Sequence, residues 1–236
     1  MEKELYNDHI SRQFNEELDE VRTHTLEMGG KVEHQVSEAV QSLILLDVDK
    51  AQTVRNADEQ INNMEVAIDE EVARILARRQ PAASDLRLVL AISKVTTDLE
   101  RIGNEASKIA LQAESLAESG DETQGFVEIR HLGAHVGKMV HDALDAFARL
   151  DADQAVQVAF EDKEVDLEYG SALREMMSVM MEDPRSIKRI LNVIWALRSL
   201  ERIGDHARNI AEHVVYLVKG KDVRHQSLND MAASIN

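Results

Sequence analysis

The sequence predicts an all-α protein: two tandem three-helix bundles from an internal repeat, with six long helices. Three observations carry this. The 236-residue chain has only two prolines, Pro81 and Pro184, and proline breaks helix interiors. Val193, Leu197, Leu200, Gly204, Ala207, Ala211, Val214 and Val218 recur at alternating spacings of four and three. That is the seam of a helix packed lengthwise against other helices. Finally, the chain repeats itself. Leu46-Asp47-Val48-Asp49-Lys50-Ala51 returns 104 positions later as Leu150-Asp151-Ala152-Asp153-Gln154-Ala155, and Leu99-Glu100-Arg101-Ile102-Gly103 returns unchanged 101 positions later as Leu200-Glu201-Arg202-Ile203-Gly204. The three-residue difference falls near the proline hairpins, where insertions cost little.

The elements follow in order. A first helix is expected from about residue 8 to 46, loosened at Gly29-Gly30, a second over about 48–79 and a third over about 84–118, with Ser84 or Asp85 as its cap. Gly120-Asp121-Glu122-Thr123-Gln124-Gly125 is a polar, glycine-bounded linker. The second repeat then places helices over about 126–150, 151–182 and 185–219. Asp183-Pro184 serves as cap and first turn, and Gly220 as the stop. This divides the chain into a first bundle (residues 1–120), a second (121–225) and a polar, frayed tail (226–236). Sustained alternation and Asn-Gly or Asp-Gly hairpins, the signals of strands, are lacking.

Composition narrows function. Forty-four acidic against 27 basic residues give a net charge of −17, which repels phosphate backbones and argues against nucleic acid as a direct partner. Aromatics make up 3% of the chain and offer little for base stacking. With no cysteine there is neither a disulfide framework nor a thiolate metal site. The longest aliphatic run is Leu43–Leu46, far short of a bilayer span, and the N-terminus lacks the pattern of a signal peptide. A soluble, intracellular, acidic protein is expected.

Some of the acidic residues are placed where they can do chemistry. Asp162 and Asp166 are spaced i, i+4 on the fifth helix, and Glu201 and Asp205 likewise on the sixth. Folding about residues 183–184 sets Asp162 opposite Asp205 and Asp166 opposite Glu201. Asp162 falls within the seam of Val158, Val165 and Tyr169, and a buried carboxylate requires a cation or donors. Oxygen-only ligands suit Mg²⁺, Mn²⁺, Fe or Ca²⁺. Arg198, Arg202 and Arg208 offer the alternative of ordinary ion pairs. The first half carries a weakened copy, Asp58-x-x-x-Asn62 facing Glu100-x-x-x-Asn104 with Asp98 one turn away; its amides offer oxygen without charge, so any metal there is expected to bind less tightly.

Other candidates rank lower. Glu128-x-x-His131 resembles half of a ferritin-type di-iron set, but no second Glu-x-x-His completes it, and His131 and His135 fall outside the Leu132/Val136/Val140 seam. Met176, Met177, Met180 and Met181 read as packing. Arg185, Lys188 and Arg189 read as a solvated face.

The two Glu-Arg-Ile-Gly elements, continued in the second copy as Asp205-His206-Ala207-Arg208-Asn209-Ile210-Ala211-Glu212, resemble the duplicated signature of the PhoU family. Arg78-Arg79-Gln80-Pro81 and Ala83-Ser84-Asp85-Leu86-Arg87 resemble its first hairpin. The likeness spans nearly the whole chain. It implies two three-helix bundles with metal bound through acidic elements, here Asp162, Asp166, Glu201 and Asp205; Asn62 and Asn104 depart from the acidic pattern. It also implies a non-enzymatic, cytoplasmic negative regulator of the phosphate-starvation response. Such a protein would link the ATPase subunit of the phosphate ABC transporter to a membrane sensor histidine kinase, meet the membrane only through those partners, and self-associate as a dimer. The rival expectation from the residues themselves is a carboxylate-bridged di-metal enzyme, which would need open coordination positions and histidine ligands.

Overall fold

The computed structural model describes residues 2–120, 126–224 and 226–235. Six long helices run α1 (Glu2–Leu45), α2 (Val48–Arg79), α3 (Ala83–Ser119), α4 (Phe126–Arg149), α5 (Ala152–Glu182) and α6 (Ile187–Lys219), followed by the short α7 (Leu228–Ile235). No strand occurs among the described residues. Helices α1–α3 and α4–α6 form the two bundles, joined along an extensive α3/α6 face and a smaller α1/α4 face. Of the expected linker, residues 121–125 lie outside the described residues; Gly120 ends α3 in the left-handed conformation, φ +67°, where a side chain would be strained.

Repeated sequence makes repeated turns. Leu46 and Leu150 both take positive φ, 52° and 55°. The aspartate that follows each one caps the next helix: Asp47 accepts from the Lys50 amide, and Asp151 from those of Asp153 and Gln154. Asp183 accepts from the Arg185 amide, opening a 3-10 turn at Pro184–Ser186 that leads into α6. The start of α3 differs from expectation. Ala82 is its N-cap and makes no side-chain capping bond, while the Ser84 hydroxyl turns to Asp85.

The bundles are related by an approximate two-fold that the sequence offsets do not reveal. A Cβ on Gly29 of α1 would sit 2.5 Å from Leu144 of α4, and a Cβ on Gly133 of α4 would sit 2.8 Å from Val40 of α1. Both glycines and both partners are 104 positions apart, so the two contacts are copies of one another across an antiparallel helix pair. Gly29-Gly30 is therefore not a loosened point: α1 runs through it unbroken, and Gly29 is there for close approach. Leu144 can swing its methyls aside, whereas β-branched Val40 is stiff. Gly133→Ala should therefore cost about 1–3 kcal/mol. Gly30→Ala and Gly137→Ala, which meet nothing within 4 Å, should each stabilise by about 0.4–1 kcal/mol. Chemical denaturation of the three variants checks both signs.

The tail also departs from expectation. In place of a frayed polar segment, α7 packs on α5 and α6 and buries Val223, Leu228 and Met231. Ser227 accepts from the Asp230 amide, a capping contact ahead of three apolar positions. The methionines divide: Met176 is buried and Met180 partly so, but Met177 and Met181 are exposed rather than packed.

Candidate functional site

The acidic quartet comes together where α5 and α6 run antiparallel. Asp162 is only 3% exposed, as its seam position requires. The Cβ of a residue replacing Gly204 would lie 3.3 Å from Val165 and 4.0 Å from Asp162, so the glycine admits α5 at this level. Burial pushes the Asp162 carboxyl above the usual aspartate range, and the charges of Asp205 and Asp166 add to this against the opposing pull of Arg208. Glu201 is raised by burial, then by Asp205, with Asp166 and Asp162 contributing. Asp205, although exposed, is raised by partial desolvation and then by Asp166. Each of the four carboxylates thus acts on others in the set, and three of them hold protons more tightly than free side chains do.

Two arginines partly neutralise this charge. Arg208 donates to Asp162 at 3.0 Å and to Glu212 at 3.1 Å, and Arg198 donates to Glu201 at 2.7 Å. Burial lowers the Arg208 pKa, but the bond to Asp162 and the charge of Glu212 outweigh it, leaving the guanidinium firmly protonated. Arg202, expected near Glu201 or Asp205, instead crosses the bundle interface to Glu105 at 3.1 Å. The buried Oε2 of Glu201 accepts no hydrogen bond.

The donor set therefore fits a hard cation in its chemistry, with four carboxylates, mutual repulsion and an orphaned buried oxygen. Among the described residues, no group of three or more His, Asp or Glu side chains is arranged to hold an ion. The quartet is a loose charge cluster with Arg208 and Arg198 in the cation's place.

The first-half set is dismantled further. Asp58 accepts from the Ser107 hydroxyl, and Asn104 donates to Glu100. Asn62 is exposed and makes no recorded side-chain bond. Glu65, next to this group, is raised by burial and by Glu100, so some negative charge remains. Asp98 is not part of it. It turns to α6, accepting from His206 at 2.9 Å, His213 at 3.2 Å and Asn209 at 3.2 Å. Burial alone would raise Asp98; the bonds from His206, His213 and Asn209 outweigh it and hold the carboxyl at about 2.

This buried Asp–His–His–Asn knot at the α3/α6 face was not anticipated, though the sequence contains its signal. Ala196, Ser199, Ile203, His206, Ile210, His213 and Leu217 form a second stripe on α6 at spacings of three and four, all buried. Ala91, Val95, Asp98, Ile102, Glu105 and Ile109 do the same on α3. A helix with two such stripes packs on two sides. The knot also turns His206 toward Asp98 rather than toward the quartet. His131 is exposed, and His135 is bonded to Glu168 at 3.1 Å.

Comparisons with known proteins now bear on this geometry. A model of the PhoU domain matches twice, at residues 25–113 and 129–214, one match per bundle. A protein of Pseudomonas putida named phosphate-specific transport system accessory protein PhoU homolog is 64% identical over 233 residues, covering 99% of this chain and 91% of its own. The phosphate-specific transport system accessory protein PhoU of Escherichia coli K12 is 50% identical over 220 residues, covering 93% and 90%. The crystal structure of PhoU from Pseudomonas aeruginosa superposes with a TM-score of 0.86 at 64% identity, covering 88% of this chain and all of that one. That of the phosphate transport system regulatory protein PhoU from Streptococcus pneumoniae gives 0.82 at 31% identity, covering 89% and 99%. These relatives are named as accessory or regulatory proteins rather than as enzymes. With both bundles matched and the identity running along almost the whole length, the chain belongs to the PhoU family.

Proposed function

We propose that this protein is a non-enzymatic accessory regulator of phosphate-specific transport and a negative regulator of phosphate uptake and of the phosphate-starvation response. The observation that carries the reading is 64% identity over 99% of the chain to a named accessory protein of that transport system. In this reading it acts in the cytoplasm, as a homodimer, as an adaptor between the transporter's ATPase subunit and a sensor histidine kinase. No helix of the described residues is long and apolar enough to cross a membrane, which suits contact with the membrane through those partners.

The quartet gives the adaptor a chemical handle. Asp162, Asp166, Glu201 and Asp205 would hold a divalent or trivalent ion such as Mg, Mn or Fe, and the weaker set at Asp58, Asn62, Glu100 and Asn104 would bind less tightly if at all. A bound ion supplies positive charge to a repulsive face, and so favours a surface that a partner can meet. Asp162 and Glu201 must release their arginines to bind it. The test is capture of the purified ATPase subunit and kinase by this protein at high and low phosphate, with the quartet intact and with Asp162→Ala and Glu201→Ala. Capture should depend on both phosphate and the quartet; capture indifferent to both would remove the adaptor mechanism.

A further inference from the structure

A second polar site lies on the α3/α6 face, away from the quartet. Beside the Asp98 knot opens a cleft of about 310 Å³, at the small end for ligand pockets, lined by Lys94, Thr97 and Arg101 of α3, by Asn209 and His213 of α6, and by Arg224 of the segment that follows α6. Acids outnumber bases 44 to 27 in this chain, and its cations are commonly bound to carboxylates, as Arg55 is to Glu114, Arg79 to Glu17 and Lys138 to Asp142 and Glu161. Two of the three cations in the cleft depart from this pattern. Lys94 faces the Tyr216 ring at 5.6 Å and makes no recorded hydrogen bond. Arg101 makes none either. Arg224 uses Nε and Nη2 on Asp222, which leaves the donors of Nη1.

We propose that this cleft binds orthophosphate as the free ion in its protonated forms. Lys94 and Arg101, two turns apart on α3, and Arg224, on the segment after α6, supply charge-assisted donors. Asp98 and Asp222 oppose them, and Glu65 and Glu212 act from the rim, so the cleft has no net positive charge; what it offers an anion is donors not used within the protein. Asp98 sets the selectivity. It is ionised and can only accept, so it favours an oxyanion that still carries a hydroxyl. Orthophosphate at neutral pH has one or two; sulfate has none.

The site is not an inherited symmetric surface. Positions 101 residues on from Lys94 and Asp98 hold Trp195 and Ser199, and the position 101 residues before His213 holds Gln112. Only one end of the α3/α6 crossing carries the set. An ion there would touch α3, α6 and the segment after α6 together, giving phosphate a direct grip on the face that joins the bundles. This inference does not depend on the adaptor reading.

Calorimetric titration of the full chain with inorganic phosphate, with sulfate and O-phosphoserine as comparison probes at matched ionic strength, tests it. Saturable phosphate binding is expected, weakened roughly tenfold or more in Lys94→Ala with Arg101→Ala, with helicity by circular dichroism unchanged. Sulfate should bind much more weakly, and Asp98→Asn, if it folds, should erase that preference. Three results overturn the proposal: no saturable phosphate binding, equal affinity in the double variant, or sulfate binding as tight as phosphate. O-phosphoserine binding tighter than phosphate overturns the free-ion assignment.

Discussion

Asp98→Ala is expected to destabilise the protein by about 3 kcal/mol, lowering Tm by about 6–12 °C. The carboxylate is buried and accepts from His206, His213 and Asn209 at once, and its loss strands three donors inside the face that joins the bundles. Asp98→Asn, which keeps an acceptor oxygen, should cost less. The pH dependence has a definite sign. The folded-state carboxyl is depressed to about 2 from an ordinary 3.8. Its stabilisation is therefore fully present above the unfolded value and is lost as pH falls through the folded one. The stability gap between wild type and Asp98→Asn should shrink between about pH 4 and pH 2. Chemical denaturation across that range decides the matter: a cost below about 1 kcal/mol for Asp98→Ala, or a gap that does not narrow, would show that the knot carries little of the interface.

That knot also marks where the sequence stops being legible. Helix boundaries could be read because proline, Asp caps and the four-three seam are local signals: α2, α5 and α6 begin and end within a few residues of expectation. The fold class followed from the repeat. The burial of Asp162 is legible because a carboxylate inside an apolar seam is visible in one helix, and its nearness to Glu201 and Asp205 needs only one hairpin's register. Asp98, His206 and His213 required knowing which faces of two helices from different repeats meet, and the offsets of 104 and 101 do not encode that. The second stripes on α3 and α6 would have shown that both helices pack on two sides. The partner of Arg202 is hidden for the same reason, since Glu105 lies across that interface. The tail is not legible because three apolar residues, Val223, Leu228 and Met231, are too sparse for a periodicity argument yet suffice once a surface exists to receive them.

The other large effect concerns the quartet. Asp162→Ala combined with Glu201→Ala is expected to abolish metal binding by the second bundle while leaving far-UV circular dichroism nearly unchanged, because the helices are held by seams that these residues only flank or interrupt. The pair removes the most buried carboxylate and the orphaned Oε2; unchanged metal stoichiometry by elemental analysis would sink the assignment. The raised carboxyls of Asp162, Glu201 and Asp205 run opposite to Asp98. Their repulsion is felt above the folded-state values and is relieved as pH falls through them. Metal affinity should weaken on acidification, since the ligands must be deprotonated. In the metal-free protein, Asp205→Asn should raise Tm by about 1–2 °C by removing a repelling charge. Arg208 separates a cation site from ordinary ion pairing. It occupies Asp162 at 3.0 Å and competes with any ion for that carboxylate. Arg208→Ala should therefore lower the stability of the metal-free protein and at the same time tighten binding of Mn²⁺ or Mg²⁺. If the quartet were only a structural ion-pair network, the same change would destabilise the protein with no gain in affinity.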